Sequence, residues 1–152
     1  MSIEIRNLDV IEKKIQKRLD AIEPAFQAAI EAERNVIEAR TLTGIGVNGR
    51  PLKKYSTKHE WNWRDVRRVN GFQTAYVDLK FTGDMFKALK TAFKRDGTKF
   101  LATIFFNDTK QAQKAKGHQT GQLGNVTYEP RRFFGLSKSQ RGTIISKIRN
   151  AK

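Results

Sequence analysis

Pro130-Arg131-Arg132-Phe133-Phe134-Gly135-Leu136-Ser137 packs a turn, an arginine pair, a double aromatic and a helix start into one stretch. Ser137 stands three positions before Gln140, the spacing of a capping box, in which each side chain satisfies an otherwise orphaned backbone N–H of the other residue. Leu136, just ahead of the cap, can staple the helix to the preceding chain. The helix is expected over 137–150, with Ile144, Ile145 and Ile148 inward and Lys147, Arg149 and Lys152 at the end that favours cations. Pro130 fixes its own φ directly before Arg131 and Arg132. Those two arginines are therefore leading candidates for gripping a carboxylate or a phosphate, which a guanidinium meets with paired donors.

Working outward, Val126-Thr127-Tyr128 reads as a short strand, and His118-Gln119-Thr120-Gly121 as a turn fixed by a hydrogen bond from His118. A basic helix is expected from Asn107-Asp108-Thr109 to a glycine cap at Gly117. Phe100 to Phe106 is the most apolar strand, and Asp96-Gly97 joins it to a strand over 91–95 as a hairpin. Thr82-Gly83-Asp84 starts a short helix through Lys90 with Thr82 as its N-cap. Phe72, Ala75, Val77 and Leu79 alternate as a further strand would. At the other end, Leu8, Ile11, Ile15, Leu19, Ile22 and Phe26 recur in steps of three and four, an amphipathic helical stripe. Pro24 cannot donate the interior hydrogen bond, so helices over 8–22 and 24–40 are expected, joined by a kink or a hairpin. Part of so long a stripe can meet a neighbouring subunit rather than the chain's own core.

The net charge is +15, and it is unevenly spread. Residues 1–40 hold seven basic and eight acidic side chains (−1), residues 41–109 thirteen and six (+7), and residues 110–152 ten and one (+9). Such a field draws polyanions, either nucleic acid or an acidic protein surface. Residues 44–58, with Asn48-Gly49, Pro51, Lys53, Lys54 and Lys58, read as an exposed basic loop. The following His59, Trp61, Trp63, Arg64, Arg67 and Arg68 interleave aromatics with arginines. That pattern suits base stacking and phosphate contact, a protein interface anchored by Trp and Arg, or a cap over the core.

No cysteine is present, which excludes disulfides and suits a reducing cytoplasm. The sequence shows neither a membrane span nor a signal-peptide layout. Two histidines, His59 and His118, and few carboxylates make a zinc or magnesium site unexpected, and Gly44-Ile45-Gly46 lacks the rest of a phosphate loop. Asp84, Asp96 and Asp108 sit where caps and turns use them. No catalytic constellation, cofactor site or metal site is expected.

Three blocks in this order carry a resemblance. They are Arg40 to Ser56 with Gly49-Arg50-Pro51 and Tyr55; Leu79-Lys80-Phe81-Thr82-Gly83-Asp84-Met85-Phe86-Lys87-Ala88-Leu89; and His118-Gln119-Thr120-Gly121 followed by Pro130 to Ser137. Together they resemble the phage virion-morphogenesis family of tail-completion, or neck, proteins, and they span most of residues 40–148. The Trp61-Asn62-Trp63 segment has no place in that pattern. The resemblance implies a non-enzymatic virion component, assembled in the host cytoplasm as a six-fold homo-oligomeric ring at the head–tail joint. Its partners would be other neck and tail proteins, and genomic DNA passing through. The structural motif positions would be Thr82, Gly83, His118, Gly121, Pro130, Phe133, Gly135 and Ser137. Contacts to a neighbour or a polyanion would fall to Lys53, Lys54, Trp61, Trp63, Arg64, Arg67, Arg68, Arg131 and Arg132. The rival reading is a free basic nucleic-acid-binding protein, although no helix-turn-helix, zinc finger or aromatic RNA-binding motif is present.

The expected fold is α+β in a single domain over 1–152. A long kinked N-terminal helix, or helical hairpin (1–40), packs on a mostly antiparallel sheet of about four strands, with a basic arm (44–71) and a closing helix within 72–152.

Overall fold

The computed structural model describes residues 8–55, 62–80 and 82–151; the expectations for Ser56, Lys58, His59 and Trp61 fall outside the described residues. It is α+β. Helix α1 runs unbroken from Leu8–Leu42, 35 residues that include Pro24. The expected helical hairpin does not form. Pro24 is exposed, so the hydrogen bond it forfeits frees a carbonyl on the solvent side, and the flanking apolar stripe holds the helix together.

Two short helices follow, α2 (Trp63–Val69) and α3 (Asp84–Lys87), then the antiparallel hairpin β1 (Leu89–Asp96) and β2 (Lys99–Phe106). Helix α4 (Thr109–Thr120), the two-residue strands β3 (Gln122–Leu123) and β4 (Val126–Thr127), and helix α5 (Lys138–Asn150) complete the described chain. The sheet is therefore two-stranded and not about four-stranded, and β3 and β4 form a separate small ladder. The expected strand over 72–79 is absent because side chains take its backbone partners. Gln73 pairs through its amide with both the N–H and the C=O of Tyr76, and Asp78 accepts the N–H of Lys80. Such local bonds compete with a ladder. Leu79 then turns the chain with φ of +53°.

The other boundaries differ by a few residues. The hairpin loop is Gly97-Thr98, one position on from the expected Asp96-Gly97, with Asp96 paired to Lys99. The short helix ends at Lys87 because Leu89 already pairs with Phe106. Its N-cap is Gly83 in the left-handed region, while Thr82 bonds the side chain of Asp84. Asp108 caps α4, which continues past Gly117 to end on Gly121 with φ of +76°. Ser137 and Gln140 form the expected capping box. Ile144 is buried and Ile148 half-buried, but Ile145 is exposed.

Two apolar clusters form the core. Leu52, Val77, Met85, Phe86, Ala115 and Phe133 make one, and Ala29, Ile30 and Ile144, flanked by Phe26, Phe93 and Ile104, make the other. β1 and β2 lay their inner face along α1. Phe26 meets Phe93 edge-on, Arg95 pairs with Asp20 and Glu23, and Arg34 donates to the carbonyls of Leu89 and Phe86. Helix α5 runs back along α1 from Gln140, which donates to Glu33, to Arg149, whose carbonyl accepts from Arg18.

Candidate functional site

Residues 130–135 form a strap that ties the second half of the chain to the first. Arg131 N–H donates to the carbonyl of His118, and Tyr128 N–H to that of Gly121. Gln119 does more: its Oε1 accepts from the N–H groups of Phe133 and Phe134, and its Nε2 donates to the Phe134 carbonyl. One side chain thus does the work of a strand partner. The His118-Gln119-Thr120-Gly121 block, expected as a turn, is the last turn of α4 with its glycine cap, and it is built to hold the Pro130 to Ser137 block. From the other side, Arg40 of α1 donates to the carbonyls of Phe133 and Gly135, and Val47 N–H donates to that of Arg132. Phe133 itself is fully buried and meets Phe86 edge-on.

Residues 44–55 are exposed at 48–51 and at Lys53 and Lys54, as expected of a loop, but the rest is tied to the fold. Ile45 bridges Pro51, the Leu52 N–H donates to the Gly44 carbonyl, and Gly44, Gly46 and Leu52 are buried. Gly46 lies so close to the strap that an added Cβ would stand 2.8 Å from the Arg132 carbonyl oxygen. The last link is a run of stacked groups. The Arg67 guanidinium lies 5.0 Å from the ring centre of Tyr55 and 5.3 Å from that of Phe72. The Arg131 guanidinium lies 5.3 Å from the rings of both Tyr55 and Tyr128. His118 then stands against Tyr128, ring centres 5.9 Å apart. Phe72, Arg67, Tyr55, Arg131, Tyr128 and His118 form one ladder between α2 and the end of α4.

This ladder corrects the expectation for two arginines. Arg67 and Arg131 are 3% and 8% exposed, enclosed by the chain's own groups. Arg67 holds both oxygens of Asp78 at 2.9 and 3.0 Å and the carbonyls of Gln73 and Lys80. Arg131 pairs with no carboxylate among the described residues; it donates to the carbonyls of Lys53 and Lys54 and lies against the rings of Tyr55 and Tyr128. Burial lowers its pKa and raises those of Tyr55 and Tyr128.

The other candidates lie at the surface. Lys53 and Lys54 are exposed, Lys53 paired with Glu129 at 3.1 Å. Arg64 and Arg68 are exposed on α2, Arg68 beside Asp65, and Arg132 is exposed on the strap, as is Pro130. Trp63 opens α2, its side chain outside the described residues. Gly135, with φ of +134°, lets the strap bend into Ser137. The described residues contain no group of three or more metal-binding side chains and no helix long and apolar enough to cross a membrane.

Two apolar surfaces remain: the start of the α1 stripe, expected from its length to meet a neighbour, and a second that the sequence did not single out. Beyond Leu19, α1 is largely bare among the described residues: Val10, Ile11 and Ile15 are 42, 47 and 50% exposed. On the outer face of the hairpin, Leu101 and Phe105 are exposed opposite Lys94 and Lys90. Strict alternation along β1 and β2 was the available signal for the second surface, since the inner residues Phe93, Phe100, Ala102 and Ile104 already account for the core.

His118 gives the site a pH signature. Burial, with Arg131 and Lys114 nearby, lowers its pKa from 6.5 to about 4. The folded chain keeps the ring neutral while the unfolded chain protonates it, so this ring's contribution to stability falls with pH from 6.5 down to about 4 and is constant below, where both states carry the proton. The loss amounts to about 3 kcal/mol across that window. Urea melts at pH 7 and pH 4.5 measure it. His118→Gln is expected to flatten the difference relative to wild type; an unchanged pH dependence would show that another group carries it.

In comparisons with known proteins, no family model, no curated relative and no solved structure matches the chain.

Proposed function

We propose that the chain is a non-enzymatic structural protein that assembles into a homo-oligomeric ring and helps join or complete a phage tail at the head–tail interface. The observation that supports this reading is the pairing of two unlike apolar surfaces on one chain: the bare N-terminal part of α1 and the outer hairpin face. A chain that must close a ring needs such a heterologous contact, one face docking on a different face of its neighbour. The neck assignment rests on the three sequence blocks. Two of them, His118 to Gly121 and Pro130 to Ser137, turn out to be parts of one hydrogen-bonded unit. The exposed basic residues Lys53, Lys54, Arg64, Arg68 and Arg132 would then face acidic neck partners or the DNA path.

The net charge of +15 supports a second reading, a free nucleic-acid-binding protein. Light scattering of the purified protein at low and high salt, with and without a short DNA duplex, separates the two. A discrete ring indifferent to DNA at physiological salt is the expected result. DNA-driven complexes that dissolve steeply with salt, without self-assembly, would favour the second reading.

A further inference from the structure

We infer that the bare stripe of α1 in one copy docks on the outer face of the β1–β2 hairpin of a second copy, a step that rests on the ring reading above. The hairpin lies along α1 from Arg34 at its base to Asp20 near its tip, and α5 ends beside Arg18. The helix then continues to Leu8, about 15 Å further at ~1.5 Å per residue. Ile11 and Ile15 continue the same stripe that Ile22, Phe26 and Ala29 bury lower down, so an apolar seam made for a covering layer runs on past the layer that the chain itself supplies. Where the seam leaves the hairpin tip it opens into a groove of about 510 Å³ lined by Glu12, Ile15, Leu19 and Gly97.

The hairpin supplies the matching surface. Its outer face sets Leu101, Thr103 and Phe105 of β2 beside Lys94, Ala92 and Lys90 of β1, with Asp96 and Lys99 at the tip. Leu101 to Phe105 spans about 13 Å at ~3.3 Å per strand residue, close to the bare length of helix. Charge orients the pairing, because only one edge of the seam is acidic. On α1, Glu12 and Gln16 flank the seam on the hairpin side, and Asp9 lies further round that side. Glu12 and Asp9, with no ion pair among the described residues, are placed to meet Lys94 and Lys90 of the neighbour. Like faces do not match: two hairpin faces would oppose lysine to lysine, whereas helix against hairpin sets the acidic edge of the seam against lysines and leaves Lys14 and Arg18 on the other edge.

The two faces can be disabled separately. Ile15→Asp removes the helix face and leaves the hairpin face intact, and Leu101→Asp does the reverse. Both positions are at least half exposed, so the fold tolerates the change, and circular dichroism melts check that it has. Each variant alone is expected to run as a monomer by mass photometry at concentrations where the wild type assembles. An equimolar mixture is expected to give a one-to-one dimer, because each variant keeps the face that the other lacks. If the wild type assembles and both variants assemble as well as it does, the interface lies elsewhere; the inference fails and the ring reading stands. If the two variants block assembly but their mixture stays monomeric, the faces do not dock on one another, and the inference again fails. A wild type that stays monomeric at every concentration, alone and with other neck proteins, removes both. The absence of cysteine allows a direct check, since Ile15→Cys and Leu101→Cys proteins mixed under oxidation should cross-link one to the other and neither to itself.

Discussion

Arg67→Ala is expected to lower the stability of the protein by about 3–5 kcal/mol, the range found when one partner of a buried ion pair is removed. The deletion strands more than a charge. Asp78 is 7% exposed and would keep only the weaker donors Gln73, the Lys80 N–H and the Tyr55 hydroxyl. The carbonyls of Gln73 and Lys80 would lose the guanidinium that joins them, and Tyr55 and Phe72 would lose the cation between their rings. For a chain of this size the melting temperature should fall by on the order of 10 °C. Arg67→Lys should recover little, since an ammonium can neither grip both carboxylate oxygens in one plane nor stack. Thermal melts of both variants, with Asp78→Asn closing a double-mutant cycle, test the point. Loss of less than about 1 kcal/mol would mean that Arg67 behaves as a surface residue after all.

Gly121→Ala is expected to be nearly as damaging, at about 2–5 kcal/mol from two independent sources. A side chain at φ of +76° costs about 1–2 kcal/mol by itself. The new Cβ would also stand 2.2 Å from the Tyr128 carbonyl oxygen and 3.1 Å from the Pro130 ring, which forces the strap away from α4. Gly124→Ala is the control, because it carries φ of +58° and meets nothing within 4 Å. Chemical denaturation should show the Gly121 variant weaker than the Gly124 variant by more than about 1 kcal/mol. Equal losses would mean that only the backbone conformation matters and that the strap adjusts freely.

These two residues also mark where the sequence could be read and where it could not. Local signals were legible: the capping box of Ser137 and Gln140, the glycine turn at the hairpin, and the apolar alternation of β2 all depend on residues close in the chain. Gly121 was picked out by its motif, but the carbonyl that forbids a side chain there belongs to Tyr128, seven residues on. Arg67 and Arg131 show the deeper difficulty. An arginine beside aromatic residues reads the same whether it faces solvent or is enclosed by partners, and the partners of these two, Asp78, Lys53 and Lys54, lie 11 to 78 residues away. The stretch from Phe72 to Leu79 misled for the opposite reason: its apolar alternation was real, but Gln73 and Asp78 took the backbone bonds that a neighbouring strand would need. Pro24 was overweighted, since an exposed proline costs a long helix one bond and not its continuity.

The strap has a kinetic side. α1, the β1–β2 hairpin and the α4 cap rest on contacts between near neighbours in sequence, and such contacts form early. The cluster around Phe133 closes only when residues 130–135 reach Arg40, Val47 and Lys53, contacts that span 78 to 95 positions. Without residues 130–135 the cluster of Leu52, Val77, Met85, Phe86 and Ala115 lacks Phe133, its largest fully buried member. Closure of this cluster is therefore expected to depend on a segment that contributes neither a helix nor a strand.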